Sequence, residues 1–158
     1  NPVKNQFTEL QGVNHLDYQA VFSGGGSSEI AKNSNLEDEL RIWGECEGRD
    51  IPMMGICHGA QIGAYHSGGQ YSILDTPRKG LYSDYRIKNG DPILNKAQNL
   101  IEEGCFVAME WHEYGIDKVG ETYGVIMTDS TGKIQVAKHK DSRVYIVEFH
   151  PEDPKMEK

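Results

Sequence analysis

The sequence predicts an α/β fold whose central sheet is mostly parallel, flanked by helices and extended by antiparallel strands. Three observations carry this prediction. The apolar run at 51–54 passes abruptly into an apolar, helix-compatible segment at 60–65. Strand and helix patterns alternate in the first half of the chain, as they do in parallel α/β sheets. Strand patterns dominate the second half, which is typical of an antiparallel extension.

The first half contains two strands and two helical segments. Residues 18–22 form a short apolar strand that enters the glycine-rich segment Ser23-Gly24-Gly25-Gly26. A helix is predicted at 35–43, with acidic residues on the face opposite an apolar stripe. The stripe consists of Leu36, Leu40 and Trp43. The chain then returns to the strand at 51–54.

The second half is predicted to be mainly β. Short strands are expected at 71–74 and 83–87, separated by a loop at 77–80 in which Arg78 and Lys79 face solvent. A turn is expected at 89–91. Four further strand patterns follow, at 106–111, 123–127, 133–137 and 143–149.

The composition limits the classes of function. The length suits one domain, and a single domain over residues 1–158 is expected. A net charge of −8 argues against nucleic acid and acidic membrane surfaces as partners. No segment approaches the roughly 20 apolar residues of a membrane span. The widely spaced Cys46, Cys57 and Cys105 indicate free thiols in a reducing, cytoplasmic compartment, and neither a metal nor a cofactor is expected.

The segment Gly55-Ile56-Cys57-His58-Gly59 has the pattern of a nucleophile elbow. Glycines on both sides of the cysteine allow the strand and the helix to approach closely and direct the apex residue outward with strained torsions. The positive end of the following helix should favour the thiolate of Cys57. The alternative, an inert buried cysteine at a strand end, is disfavoured by the paired glycines and the turn position.

A partner for this cysteine is found near the end of the chain. A catalytic cysteine needs a base and a group that orients the base. Among the histidines, His150 stands out because it follows the apolar strand at 143–149, at the sheet edge where α/β proteins bind ligands. Pro151 stiffens the exit from the strand, and Glu152 can turn back towards the imidazole.

Three segments together resemble the class I, or triad, glutamine amidotransferases. They are Phe22-Ser23-Gly24-Gly25-Gly26, Gly55-Ile56-Cys57-His58-Gly59-Ala60-Gln61 and Phe149-His150-Pro151-Glu152, in the family's order and at similar spacing. Each motif alone is weak evidence, but the set spans most of the chain. The resemblance implies a flavodoxin-like fold, and the branch that looks most similar is the glutaminase subunits of GMP synthetases.

The resemblance also implies the roles of individual residues. Cys57 is the expected nucleophile, His150 the base and Glu152 the carboxylate that orients the base. The family's oxyanion hole maps onto backbone amides of the glycine-rich loop and of the elbow helix, namely Gly24, Gly25 and His58. This agrees with the chemistry, because thiolate attack on a carboxamide creates an oxyanion that needs fixed N–H donors.

Further matches concern substrate contacts, and some positions depart from the family pattern. Gln61 corresponds to a glutamine that holds the substrate, and Trp111-His112 to a segment that contacts it through the backbone. Glu148 stands where relatives have glutamine, and its effect on His150 is left open by the sequence. The family's first strand and helix and its C-terminal helix have no counterpart, so a trimmed chain is expected.

The activity implied by the resemblance is hydrolysis of L-glutamine to glutamate and ammonia through a thioester on Cys57. In this family the ammonia passes to a synthetase, which is expected here as a partner in a separate chain. One alternative is a γ-glutamyl hydrolase-like enzyme acting on other γ-glutamyl amides. The other is a non-catalytic binding module with an amidotransferase-like fold.

Overall fold

A mixed eight-stranded sheet forms the centre of the part of the chain that the structure describes. That part comprises residues 19–26, 30, 35–87, 92, 101–102 and 105–153 of the computed structural model. The parallel strands are β1 (Val21–Ser23), β2 (Met53–Ile56) and β10 (Val144–Val147). β2 lies between the other two, and Met53 is in register with both Val21 and Val144. The three strands therefore end at the same edge, on either side of Cys57.

The rest of the sheet is antiparallel. Its strands are β3 (Gln70–Tyr82), β4 (Arg86–Ile87), β7 (Ala108–Lys118), β8 (Tyr123–Thr128) and β9 (Ile134–His139). The sheet runs from β10 through β9 and β7 to β3, while β8 pairs with β9 and β4. A separate ribbon joins β5 (Ile101–Glu102) to β6 (Cys105–Phe106). The α/β class is confirmed, and among the described strands the antiparallel part is larger than the parallel centre.

Two helices of the described residues pack beside the parallel strands. The predicted first helix is confirmed as α1 (Leu36–Gly48), and the elbow helix is α2 (His58–His66). Trp43 of α1 is fully buried. A Cβ at Gly63 of α2 would lie 2.3 Å from the Trp43 ring, so the glycine allows the two helices to touch. The default assignment of Trp43 to the core is therefore correct.

The predicted loop at 77–80 was wrong, whereas the strand predicted at 71–74 lies within β3 and the one predicted at 83–87 is present as the shorter β4. β3 runs without interruption from Gln70 to Tyr82 and pairs with β7, with a register shift between Ile73 and Arg78. The edge position of β3 accommodates Pro77, since a missing N–H is tolerated there. The turn expected at 89–91 lies outside the described residues. No helix in the described ranges is long and apolar enough to cross a membrane.

Candidate active site

Cys57 occupies the sharp turn between β2 and α2. Its φ of 53° and ψ of −110° are strained for a side chain other than glycine. The turn is held at both ends: the Cys57 N–H donates to the Val147 carbonyl of β10 at 3.0 Å, and the Cys57 carbonyl accepts the Gln61 N–H at 3.0 Å. The strained cysteine predicted by the elbow pattern is therefore present.

Two expectations about this cysteine were wrong, because Cys57 is buried with only 4% of its surface exposed. Burial, followed by the negative charge of Glu148, raises the pKa of the Cys57 thiol to about 12. The hydrogen bond from the His58 backbone amide lowers the pKa but is outweighed. The thiol donates to the Trp111 carbonyl at 3.7 Å. The sulfur is therefore not exposed, its pKa is raised rather than lowered, and a base is needed to remove its proton.

His150 and Glu152 form a hydrogen-bonded pair at the end of β10. Nδ1 of His150 lies 2.8 Å from Oε1 of Glu152. Burial acts to raise the pKa of Glu152, but the hydrogen bond to His150, a backbone hydrogen bond and the charge of His150 together outweigh it, and the pKa is lowered. The His150 backbone is fixed by donation to the Met109 carbonyl at 2.8 Å. Its other ring nitrogen, Nε2, is buried and makes no hydrogen bond within the described structure, so it can accept a proton.

The glycine-rich loop after β1 lies directly over the elbow. The Gly24 carbonyl accepts the Gly59 N–H at 3.2 Å, which ties the loop to α2. A Cβ at Gly25 would lie 3.2 Å from Cε1 of His150 and 3.8 Å from Cβ of Cys57. The loop thus brings the predicted oxyanion-hole glycines, the histidine and the cysteine together at one sheet edge.

The predicted substrate residues flank the same site. Gln61 donates from Nε2 to Oε1 of Glu148 at 2.8 Å. Trp111 presents its carbonyl to the Cys57 thiol, while the residue as a whole is 64% exposed. The His112 side chain is buried, with its Nε2 2.6 Å from Oε2 of Glu110. The backbone of the Trp111-His112 segment therefore faces the cysteine, whereas the imidazole points into the interior.

A buried ionic cluster behind this segment was not predicted. Arg78, expected in a solvated loop, is 8% exposed and forms ion pairs with Asp84, with Glu110 at 2.6 Å and with Asp129 at 3.3 Å. Its neighbour Lys79 is exposed, as expected. Alternation along β7 places Glu110 and His112 on one face, a signal available in the sequence. The partners of Arg78 depend on the β3–β7 pairing, which the sequence did not reveal.

Replacing Arg78 with methionine should lower the free energy of unfolding by about 3–5 kcal/mol, because it leaves Asp129 buried without its cation and Glu110 with His112 as its remaining ion-pair partner. Urea unfolding would measure this loss. The matched control is Lys79→Met, which removes an exposed pair with Glu113 at 3.4 Å and a contact 6.0 Å from the centre of the Trp111 ring, and it should cost less than about 1 kcal/mol. Equal stability of the two variants would show that the buried cluster does not hold this part of the sheet.

The chain is similar to known proteins over most of its length. The glutamine amidotransferase class-I family matches residues 1–157. One subunit of a glutamine-hydrolyzing GMP synthase from Picrophilus torridus is 30% identical over 84% of the chain and 65% of its own length. A glutamine-hydrolyzing GMP synthase from Oleidesulfovibrio alaskensis is 33% identical over 84% of the chain and 24% of its own length. The chain thus spans just under two thirds of the first relative and about a quarter of the second.

A solved structure shares the fold. A glutamine amidotransferase from Thermotoga maritima superposes with a TM-score of 0.72 at 19% identity, covering 87% of the chain and 58% of that protein. At this identity the likeness establishes the architecture, namely the α/β sheet flanked by helices. The functional assignment therefore depends on the family match together with the geometry around Cys57.

Proposed function

The chain belongs to the glutamine amidotransferase class-I family, and on this premise we propose that it hydrolyses L-glutamine to glutamate and ammonia. The observation that carries the proposal is the strained Cys57 beside the His150–Glu152 pair. Nε2 of His150 has no hydrogen-bond partner within the described structure. This arrangement supplies a nucleophile, a base and a group that orients the base.

In the proposed reaction, His150 Nε2 takes the thiol proton as the Cys57 sulfur attacks the γ-carboxamide carbon of glutamine. The C=O π electrons move onto the oxygen, and the resulting oxyanion is stabilised by the backbone amides of His58 and of Gly24 or Gly25. Collapse of this intermediate breaks the C–N bond, and the imidazolium returns its proton so that ammonia leaves. Glu152 stabilises the imidazolium throughout.

The second half of the reaction releases glutamate. His150 removes a proton from water, whose oxygen attacks the thioester carbon, and the C–S bond breaks as the proton returns to sulfur. Gln61 and the backbone of Trp111-His112 are proposed to hold the substrate, since they lie beside the cysteine. The high pKa of the resting thiol supports a base-assisted attack over a preformed thiolate.

The ammonia is proposed to pass to a synthetase partner. This rests on the names of the relatives, which are a GMP synthase and one subunit of another GMP synthase, and a GMP-synthase-type acceptor is therefore the first to test. The proposed unit of function is one amidotransferase domain over residues 1–158, and L-glutamine is its proposed substrate.

The test is labelling with the diazoketone glutamine analogue DON, followed by peptide mapping and assays of ammonia and glutamate. The expected result is one adduct on Cys57, prevented by excess L-glutamine, and equal release of ammonia and glutamate. The measurement is made on the protein alone and on the protein mixed with a synthetase of the GMP-synthase type. Folded protein that gives neither adduct nor ammonia under both conditions contradicts the proposal, and turnover of other γ-glutamyl amides in preference to glutamine redirects it to a hydrolase.

A further inference from the structure

Glu148 is a fully buried carboxylate two residues before His150. Its backbone N–H donates to the Gln135 carbonyl of β9 at 2.9 Å, which fixes its position at the end of β10. Its Oε1 accepts a hydrogen bond from Nε2 of Gln61 at 2.8 Å, and its Oε2 has no hydrogen-bond partner within the described structure. A buried carboxylate that is incompletely paired is costly, so a structural role alone does not account for it.

The groups that act on Glu148 are Gln61 of α2, Glu110 and His112 of β7, and His150 after β10. His112 of β7 places Nδ1 3.5 Å from Oε1 of Glu148. That nitrogen also lies 2.5 Å from the Tyr114 carbonyl, and Nε2 lies 2.6 Å from Oε2 of Glu110. Because both ring nitrogens face acceptors, this arrangement favours the imidazolium form of His112. Burial acts to lower the pKa of His112, but the hydrogen bond to Glu110 and the nearby carboxylate charges outweigh it and raise the pKa.

The His112 ring lies closer to Glu110, at 2.6 Å, than to Glu148, at 3.5 Å. Oε1 of Glu110 also accepts the Tyr85 hydroxyl at 2.5 Å, and Oε2 pairs with Nε of Arg78 at 2.6 Å. Glu110 therefore has two cations as neighbours. Glu148, by contrast, contacts the Gln61 amide at 2.8 Å and the His112 ring at 3.5 Å, both through Oε1, while its Oε2 has no hydrogen-bond partner within the described structure.

We propose that Glu148 is a positioning residue of the active site: it anchors Gln61 and His112 beside Cys57, and its negative charge keeps the Cys57 sulfur protonated until His150 takes the proton. The inference rests on the proposed role of Cys57 as the nucleophile. A thiol held in this way is a poor target for oxidants and stray electrophiles, which react with the thiolate.

The electrostatics agree with this geometry. Burial raises the pKa of Glu148 to about 7, with Glu110 acting in the same direction and His112, Gln61 and His150 opposing it. Glu148 is therefore increasingly charged above pH 7, the range in which thiols ionise. Around Cys57, after burial, Glu148 acts ahead of Glu152 and Glu110 in raising the thiol pKa. Removing the Glu148 charge should therefore make the thiolate easier to form.

The test is the pH dependence of Cys57 alkylation by iodoacetamide, followed by peptide mapping. In Glu148→Gln, which keeps the side-chain length and an acceptor for Gln61, the midpoint should fall by about one pH unit or more. At pH 8 the alkylation rate should rise about tenfold, because one unit of pKa is a factor of ten in thiolate. An unchanged midpoint in the folded variant overturns the inference.

Two further measurements separate charge from packing. Glu148→Asp keeps the negative charge and should keep the midpoint near that of the native protein. The matched control is Glu47→Gln, which removes a half-buried carboxylate bonded to His66 and Tyr123 at another place in the fold and should leave Cys57 unaffected. A shift in Glu47→Gln as large as that in Glu148→Gln overturns the inference.

The native protein provides a test that needs no variant. The inference requires an alkylation midpoint for Cys57 well above the ordinary thiol value of about 8.5, and a midpoint at or below that value overturns it even if Glu148→Gln fails to fold. Alkylation does not require turnover. A shifted midpoint without glutamine hydrolysis would therefore contradict only the proposed function, whereas hydrolysis with an unshifted midpoint would contradict only the role of Glu148.

Discussion

Replacement of Cys57 with alanine is expected to abolish glutamine hydrolysis, lowering turnover by a factor of at least about 10⁴. The expectation follows from the proposed mechanism, in which no other group can form the thioester. Alanine retains the Cβ and the strained backbone of the elbow while removing only the sulfur. The thiol donates a single long hydrogen bond to the Trp111 carbonyl at 3.7 Å, so its loss should cost about 1 kcal/mol of stability.

The measurement is ammonia release together with thermal unfolding. The control is Cys46→Ala, which removes a second free cysteine, from the core around Trp43. That variant should lose some stability and keep the turnover of its folded fraction. Detectable glutamine hydrolysis by folded Cys57→Ala would show that the nucleophile lies elsewhere.

Replacement of Gly59 with alanine should damage both the fold and the site. A Cβ at Gly59 would lie 2.2 Å from the Ser23 carbonyl oxygen and 2.6 Å from its hydroxyl. The obstacle is backbone at the end of β1, so either α2 or the strand must move. We expect the free energy of unfolding to fall by about 3 kcal/mol. Activity should fall as well, because Ser23 leads into the Gly24–Gly25 loop proposed to bind the oxyanion.

Urea unfolding would measure the loss of stability, with Gly48→Ala as the matched control. Gly48 is the exposed last residue of α1, and no heavy atom lies within 4 Å of a Cβ built there. That substitution should be neutral or stabilise the protein by up to about 1 kcal/mol. Comparable stability of Gly59→Ala and Gly48→Ala would mean that the close contact between α2 and β1 is not required.

Much of the site could be predicted from sequence because its parts lie close together in the chain. The elbow is a local structure: an apolar strand, glycines that permit close contact and a helix start all lie within about ten residues of Cys57. The same is true of His150 and Glu152, which follow one apolar strand and bond to each other two residues apart. Local sequence patterns are informative wherever the interacting groups are close in the chain.

Errors occurred where the interacting groups are distant in sequence. Arg78 was assigned to a solvated loop because arginine side chains are usually exposed, yet β3–β7 pairing places it beside Glu110 and Asp129. Cys57 was expected to face outward because of the elbow. It was expected to be a thiolate because the positive end of the following helix lies next to it in the chain. Its burial and the charge of Glu148 are contributions from elsewhere in the fold, and they outweigh the local effect of the helix.

The sequence by itself therefore determined the α/β class, the strained position of Cys57 and the pairing of His150 with Glu152, because each depends on local backbone preferences or short separations. The tertiary structure alone decided the burial of the sulfur, the direction of its pKa and the surroundings of Glu148, which is linked to Gln61 on α2 and His112 on β7. The physical reason is that desolvation and Coulomb interactions depend on which groups are close in space. Strand pairing and helix packing set those distances, and no local pattern encodes them.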